Sequence, residues 1–116
     1  MKPLLLGLAL ALLAGPALAQ PNTLTAAEKA AGWRLLFDGK TTAGWRGFKT
    51  PAPDPGWRVE DGALMPDPKT SKDIMTVETF GDFELAFAWK IAPKGNSGVM
   101  YHVVEQGQET YQSGPE

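Results

Sequence analysis

The stretch from Phe83 to Ile91 constrains the fold more than any other part of the sequence. Every second residue in it is large and apolar, namely Phe83, Leu85, Phe87, Trp89 and Ile91. Side chains alternate between the two faces of a β-strand, whereas a helix repeats every 3.6 residues. The stretch is therefore predicted to be a strand that buries one face, Trp89 included, in an apolar core and turns a milder face to solvent or a ligand.

The rest of the chain after residue 32 consists of short apolar runs separated by turn residues. The runs lie at residues 33–37, 45–48, 57–59, 63–65, 73–77 and 99–104. Asp61-Gly62 separates two of them and predicts a tight hairpin, because a type I′ turn needs positive φ at both central residues. Short strands with frequent turns and almost no helix indicate an all-β fold, a β-sandwich or jelly roll.

The first 19 residues have the pattern of a signal peptide. Lys2 precedes an apolar stretch from Leu4 to Leu13, and Ala17-Leu18-Ala19 supplies the small residues that signal peptidase needs before cleavage at Gln20. The apolar stretch is shorter than the roughly 20 residues of a membrane span. We therefore expect an exported protein, periplasmic or extracellular, with no integral membrane segment after cleavage.

Residues 20–32 are predicted to form a tether and one short helix. Thr25 and Glu28 have the spacing of a capping box, in which each side chain bonds the backbone N–H of the other residue. The helix is expected to run from Ala26 to Ala31 and to end at Gly32, a residue type that suits the left-handed position after a helix.

Composition narrows the classes of function. The chain contains no Cys, which excludes disulfides, thiolate catalysis and thiolate metal sites, and leaves stability to an apolar core. The net charge of −2 gives no basic surface for nucleic acid, so nucleic acid is not expected as a partner.

The end of the chain carries turn residues at Gly114-Pro115 with no closing strand after them. An open sandwich would leave long strand edges and an uncovered apolar face. We therefore expect residues 33–116 to be the N-terminal part of a β-sandwich domain that is truncated at its C-terminus.

Several stretches, taken in order, resemble the 3-keto-disaccharide hydrolase family. They are Trp33-Arg34-Leu35-Leu36-Phe37-Asp38-Gly39-Lys40, Gly44-Trp45, Trp57-Arg58-Val59-Glu60-Asp61-Gly62, Phe80-Gly81-Asp82-Phe83-Glu84-Leu85, Trp89-Lys90-Ile91, Asn96-Ser97-Gly98 and Gly114-Pro115-Glu116. The resemblance covers the chain after the leader. It implies a concanavalin-A-like jelly roll of roughly twice this length, in exported proteins that act on 3-keto-glycosides.

A 3-keto sugar permits cleavage by elimination, because its carbonyl acidifies the hydrogen on C2. The route needs a general base, a group that stabilises the enolate oxygen and an acid for the leaving group. A divalent metal ion can replace hydrogen-bond donors at the enolate, so the cofactor stays open. No His-x-x-x-His or paired His–carboxylate spacing specifies a complete metal site.

Two residues are the candidates for catalysis. His102 is the only His in the chain, and His is the residue type most used for proton transfer near neutral pH. It lies just after Asn96-Ser97-Gly98, and in a strand it would share a face with Met100 and Val104. Glu116 follows Gly114-Pro115, a turn that presents its carboxylate as a base or metal ligand.

Four further residues are candidate substrate contacts. Asn96 and Ser97 can hydrogen-bond sugar hydroxyls, although residues of these types also stabilise turns. Glu84 lies on the milder face of the strand predicted from Phe83 to Ile91, and Tyr101 offers a ring for sugar stacking.

Two function classes remain open from the sequence. The first is a hydrolase or lyase that cleaves 3-keto-glycosides, functionally linked to an oxidoreductase that makes the 3-keto group. The second is a protein without catalysis, either a carbohydrate-binding module or a structural interaction domain, because one fold hosts many functions. A carbohydrate is the expected ligand of the enzyme and of the binding module.

Overall fold

The structure is a computed structural model that describes residues 21–116. The predicted signal peptide and its cleavage site lie outside these residues. The described elements are α1 (Ala26–Ala30), β1 (Trp45–Gly47), β2 (Trp57–Glu60), β3 (Ala63–Pro66), β4 (Ile74–Thr76) and a 3₁₀ turn (Thr110–Gln112). Strands outnumber helical segments and pair in small antiparallel sheets, in agreement with the all-β prediction.

Helix α1 forms at the predicted capping box. The hydroxyl of Thr25 accepts from the Glu28 N–H at 3.2 Å, and the Glu28 carboxylate accepts from the Thr25 N–H at 2.7 Å. The Thr25 N–H, and then the Thr25 hydroxyl, both donate to the Glu28 carboxylate and hold its pKa below the ordinary value. Gly32 then adopts φ +91°, as the C-terminal signal predicts. Within residues 21–116 no helix is long and apolar enough to cross a membrane.

Strands β2 and β3 form the hairpin predicted around Asp61-Gly62. Val59 lies opposite Leu64, and the turn residues have φ values of +50° and +72°. Positive φ at both positions is the signature of a type I′ turn, so the sequence prediction is confirmed here. Asn22 caps this turn from the N-terminal tether, donating from Nδ2 to the Gly62 carbonyl at 2.8 Å.

Strands β1 and β4, which precede and follow the β2–β3 hairpin in the sequence, form a second antiparallel pair with Arg46 opposite Met75. The indole of Trp45 donates to the Leu36 carbonyl at 2.7 Å and so ties the preceding segment to this sheet. That segment, residues 33–37, forms no strand. It ends in a turn in which the Asp38 carboxylate accepts from the Lys40 and Thr41 N–H groups at 2.8 and 2.7 Å.

The strands predicted over Phe83–Ile91 and Val99–Val104 are absent. In the first segment the five large apolar side chains are exposed, Trp89 the most at 73 %. The physical reason is that an alternating pattern gives a strand only where another segment supplies ladder hydrogen bonds and covers the apolar face. Within residues 21–116 no segment does so, and no apolar side chain is fully buried. Within residues 21–116 Trp89 is therefore exposed, contrary to its predicted core position.

Candidate functional site

The segment that carries His102 lies against the segment that carries Glu116. The Tyr101 N–H donates to the Pro115 carbonyl at 3.2 Å. The Ser113 hydroxyl accepts from the Val104 N–H at 3.0 Å and bonds the Val104 carbonyl at 3.2 Å. These bonds close residues 101–115 into a loop, here named the site loop, whose two ends lie together.

Glu116 packs against the loop Asn96-Ser97-Gly98. Its carboxylate occupies the space that a Cβ atom on Gly98 would take. The sequence context of Gly98 indicates a turn. The residue also leaves room for the Glu116 carboxylate, because glycine has no side chain. No local pattern reveals this contact, since the two residues meet only when the site loop closes.

Gly114 makes the closure of the site loop possible. It is buried, and a Cβ on it would lie 2.5 Å from Val103 Cγ2 and 2.8 Å from the Tyr101 carbonyl oxygen. Both distances are shorter than a carbon contact allows, so only glycine permits the two ends of the loop to approach this closely.

His102 adopts an uncommon backbone conformation. Its φ is +56°, in the left-handed region that few residues other than Gly occupy. This φ interrupts the alternation over residues 99–104, so the face that His102 was predicted to share with Met100 and Val104 does not form. The His102 ring is exposed and lies edge-on to the Tyr101 ring, with centroids 5.1 Å apart and planes at 66°.

The predicted substrate contacts divide into two groups. Asn96 and Ser97 are exposed beside Gly98, and within residues 21–116 their side chains make no hydrogen bond. Glu84 is also exposed, but it lies on the segment Phe83–Ile91, and no hydrogen bond within the described residues links it to the site loop. The structure thus brings Asn96, Ser97, Tyr101 and Glu116 to neighbouring segments and leaves Glu84 on a separate one.

The tip of the site loop, residues 105–110, is joined to β1 by an ion pair that sequence reasoning missed. Arg46 on β1 donates through Nη1 to Glu105 Oε2 at 3.0 Å and through Nη2 to Glu105 Oε1. This bidentate contact, and then the Lys49 N–H, hold the pKa of Glu105 below its ordinary value, while the pKa of Arg46 is raised. The partners are 59 residues apart in the chain, so no local motif could have identified them.

Cavities and acidic clusters do not point to a different site. A concavity of about 370 Å³ is lined by Asp54, Pro55, Gly56, Arg58, Asp67 and Thr70. The Asp54 carboxylate there already accepts from the Gly56 and Lys72 N–H groups. A second, of about 340 Å³, is lined mainly by apolar residues between residues 35–44 and 76–80. Within residues 21–116 no three His, Asp or Glu side chains converge as a metal site would require.

Comparison with known proteins assigns the family. Residues 32–116 match the 3-keto-alpha-glucoside-1,2-lyase-like domain, a range that includes every candidate site residue. The chain belongs to this family. It is also 32 % identical over 91 residues to a 3-keto-disaccharide hydrolase of Bacteroides thetaiotaomicron.

The alignment covers most of this chain but only a minor part of the Bacteroides protein. The alignment takes in 72 % of this chain but 31 % of the Bacteroides protein, so the chain spans about a third of that relative's length. The family assignment thus confirms the resemblance seen in the sequence. The relative's own name adds hydrolysis of a 3-keto-disaccharide as the activity of that protein.

Proposed function

We propose that this chain belongs to an exported enzyme that cleaves 3-keto-glycosides, with Glu116 as the base and His102 as the acid. The proposal rests above all on one observation: the closed site loop brings the Glu116 carboxylate against the Asn96-Ser97-Gly98 loop within a chain of this family. The names of the family and of the Bacteroides relative both refer to 3-keto-glycoside cleavage, which supports the choice of substrate class.

The proposed reaction is an elimination followed by hydration. Glu116 removes the proton from C2, and the electron pair moves onto the C3 carbonyl oxygen as an enolate. The enolate then collapses, the C1–O bond breaks, and His102 protonates the departing oxygen. This leaves the aglycone alcohol and a 3-keto sugar with a C1–C2 double bond. Water adds its hydroxyl to C1 and returns a proton to C2, which gives the free 3-keto sugar.

Residues around the two catalytic groups supply binding. Asn96 and Ser97 have exposed donors and acceptors for sugar hydroxyls, and the exposed Tyr101 ring offers a stacking surface. Glu84 is a further proposed contact. The enolate needs donors or a divalent cation, and the chelator arm of the experiment below distinguishes them.

The fold proposal is a jelly-roll sandwich of which residues 33–116 form the N-terminal part, after a signal peptide at 1–19 and a tether and helix at 20–32. In it the Phe83–Ile91 segment is a strand, covered by polypeptide that residues 21–116 do not include. The greater length of the Bacteroides relative and the exposed apolar alternation of this segment both support that arrangement. For localisation, we propose that the signal peptide at residues 1–19 delivers the protein to the periplasm or to the outside of the cell. A sugar 3-oxidoreductase is the proposed source of its substrate.

The test follows release of the aglycone by the full-length protein from a 3-keto-glucoside and from the same glucoside without oxidation. We expect cleavage of the keto substrate alone. Glu116→Gln and His102→Ala should each lower kcat by about 10²- to 10⁴-fold, because each removes an acid–base group. Glu78→Gln is the matched control, since Glu78 is an exposed carboxylate that pairs with Arg34 outside the site loop.

The remaining outcomes separate the alternatives. Loss of activity in chelator would assign a metal ion to the enolate oxygen. Sugar binding without cleavage of either substrate, unchanged in the two variants, would contradict the enzyme and favour a carbohydrate-binding module. Absence of sugar binding as well would favour a structural interaction domain.

A further inference from the structure

The tip of the site loop is fixed to the β1–β4 sheet by ionic and polar contacts. The Glu105 carboxylate accepts hydrogen bonds from the two terminal guanidinium nitrogens of Arg46 and from the Lys49 backbone N–H, the last at 2.5 Å. Arg46 further donates to the carbonyl of Gly47, its neighbour on β1, at 3.2 Å. A carboxylate that accepts three N–H groups, two of them from a planar guanidinium, has little freedom to rotate.

Two more contacts hold the same part of the loop. The Lys49 ammonium donates to the Gly107 carbonyl, and the Thr110 hydroxyl donates to the Asp73 carboxylate. Asp73 directly precedes β4, so the loop is tied to both strands of this sheet. Thr110 is 5 % exposed and is the most enclosed polar residue among those described.

The site groups lie at the ends of this anchored loop. His102 precedes Glu105 by three residues, and Gly114 follows Thr110 by four. The Gly114 N–H also bonds the Thr110 carbonyl at 3.3 Å, which passes the constraint from the anchored tip to the segment that ends in Glu116. With the tip released, the short connections on either side would no longer fix where His102 and Glu116 lie.

We infer that Arg46 and Glu105 are positioning residues of the cleavage reaction, which hold the site loop so that His102 and Glu116 face the same substrate. The inference rests on the proposed function of those two groups. Neither Arg46 nor Glu105 touches the substrate in this account. They act through the backbone of the site loop, and their effect should therefore fall on the rate of the chemical step more than on binding.

Another Arg–Glu pair in the chain supplies a matched control. Arg34 and Glu78 also form an ion pair, at 3.0 Å, but their side chains are 61 % and 60 % exposed, and no hydrogen bond within the described residues links them to the site loop. The side chains of Arg46 and Glu105 are 22 % and 31 % exposed. A pair that is less hydrated and bidentate restrains its partners more than an exposed single contact does.

The experiment compares Glu105→Gln, Arg46→Lys and Glu78→Gln in the full-length protein. Glu105→Gln keeps the shape of the side chain and removes its charge, and Arg46→Lys keeps the charge and removes the planar fork. We expect both to lower kcat about ten- to a hundredfold with KM within about twofold, because small misplacement of catalytic groups has effects of this size. Glu78→Gln should behave as the unchanged protein.

A second readout makes the inference testable without turnover. Amide hydrogen exchange should become faster at residues 101–104, 113, 114 and 116 in Glu105→Gln and unchanged there in Glu78→Gln. Faster exchange in a protein that cleaves no 3-keto-glycoside would support the anchoring and refute the proposed function. Cleavage that Glu105→Gln leaves within twofold of the unchanged protein, or lowers only as much as Glu78→Gln does, would overturn the positioning role.

Discussion

Residues 21–77 and residues 78–116 fold by different means. The first region contains all four described strands, and its turns are formed by residues adjacent in sequence, such as Asp61-Gly62 and Asp38. The second contains no strand and one 3₁₀ turn, and its order depends on contacts with distant residues such as Arg46 and Asp73. Local chemistry specifies the turn of the β2–β3 hairpin, whereas an apolar strand needs a partner that covers it. The proposed catalytic groups lie in the second region.

The largest effect that separates the two regions concerns Trp89. In the proposed jelly roll its side chain is in the core, so Trp89→Ala in the full-length protein should lower the free energy of unfolding by about 3–5 kcal/mol. Urea denaturation of the variant beside the unchanged protein measures this. A loss below about 0.5 kcal/mol, the size expected at an exposed position, would mean that the segment stays exposed and that the jelly-roll proposal is wrong.

Two glycines of the second region should respond in opposite ways to substitution. The atoms nearest to a Cβ at Gly98 belong to the flexible Glu116 side chain, so Gly98→Ala should displace that carboxylate and lower kcat/KM about ten- to a hundredfold. Its unfolding free energy should change by less than about 0.5 kcal/mol.

Gly114→Ala is the matched comparison. Its new methyl group meets the Tyr101 carbonyl oxygen in the backbone, so it should destabilise the fold by about 1–3 kcal/mol. Thermal unfolding and aglycone release, measured together, check both variants. Full activity in Gly98→Ala would show that the Glu116 carboxylate does not work from its place beside Gly98.

The turn of the β2–β3 hairpin gives a smaller effect in the first region. Gly62 has φ +72°, so Gly62→Ala should destabilise the protein by about 1–2 kcal/mol through backbone strain alone. Gly81→Ala is the control, because Gly81 lacks a positive φ and has open space around it. That change should be neutral or stabilising by up to about 1 kcal/mol, since it restricts the unfolded chain. Equal losses in the two variants would contradict the type I′ turn.

The smallest expected effect is the pH dependence of the Asp38 turn. The Thr41 N–H and hydroxyl, and then the Lys40 N–H, lower the pKa of Asp38 from 3.8 to about 2. A lowered pKa means that the ionised form stabilises the folded turn. That contribution is complete above the ordinary pKa of 3.8 and is lost as the pH falls toward 2. NMR titration of the carboxylate, with Thr41→Val as comparison, measures the shift; an Asp38 midpoint near 4 would refute it.

Sequence patterns predicted the short helix and the hairpin turn of the first region for a physical reason, although the strand expected at residues 33–37 does not form. The capping box at Thr25 and the type I′ turn at Asp61-Gly62 depend on residues within four positions of each other, and both form as predicted. The alternation from Phe83 to Ile91 shows only that a strand would be amphipathic there. Whether the strand forms depends on a partner segment, which the pattern itself does not identify.

The candidate site shows the same division. The sequence pointed to His102, Glu116, Asn96, Ser97 and Tyr101 by residue type and family resemblance, and the structure places them on adjoining segments. Sequence patterns gave no indication of the Arg46–Glu105 ion pair, of the contact between Gly98 and the Glu116 carboxylate, or of the positive φ of His102. The first two are contacts between residues far apart in the chain, which no local pattern identifies.

The most direct test of the account is the isotope effect at C2. The full-length protein would receive an equal mixture of a 3-keto-glucoside and the same compound with deuterium at C2, and the isotope ratio of the remaining substrate would be followed. Removal of the C2 proton by Glu116 predicts that the remaining substrate becomes enriched in the deuterated compound, which reacts more slowly, and that Glu116→Gln stops cleavage of both. Equal consumption of the two compounds would contradict elimination, and with it the role of the Glu116 carboxylate as the base.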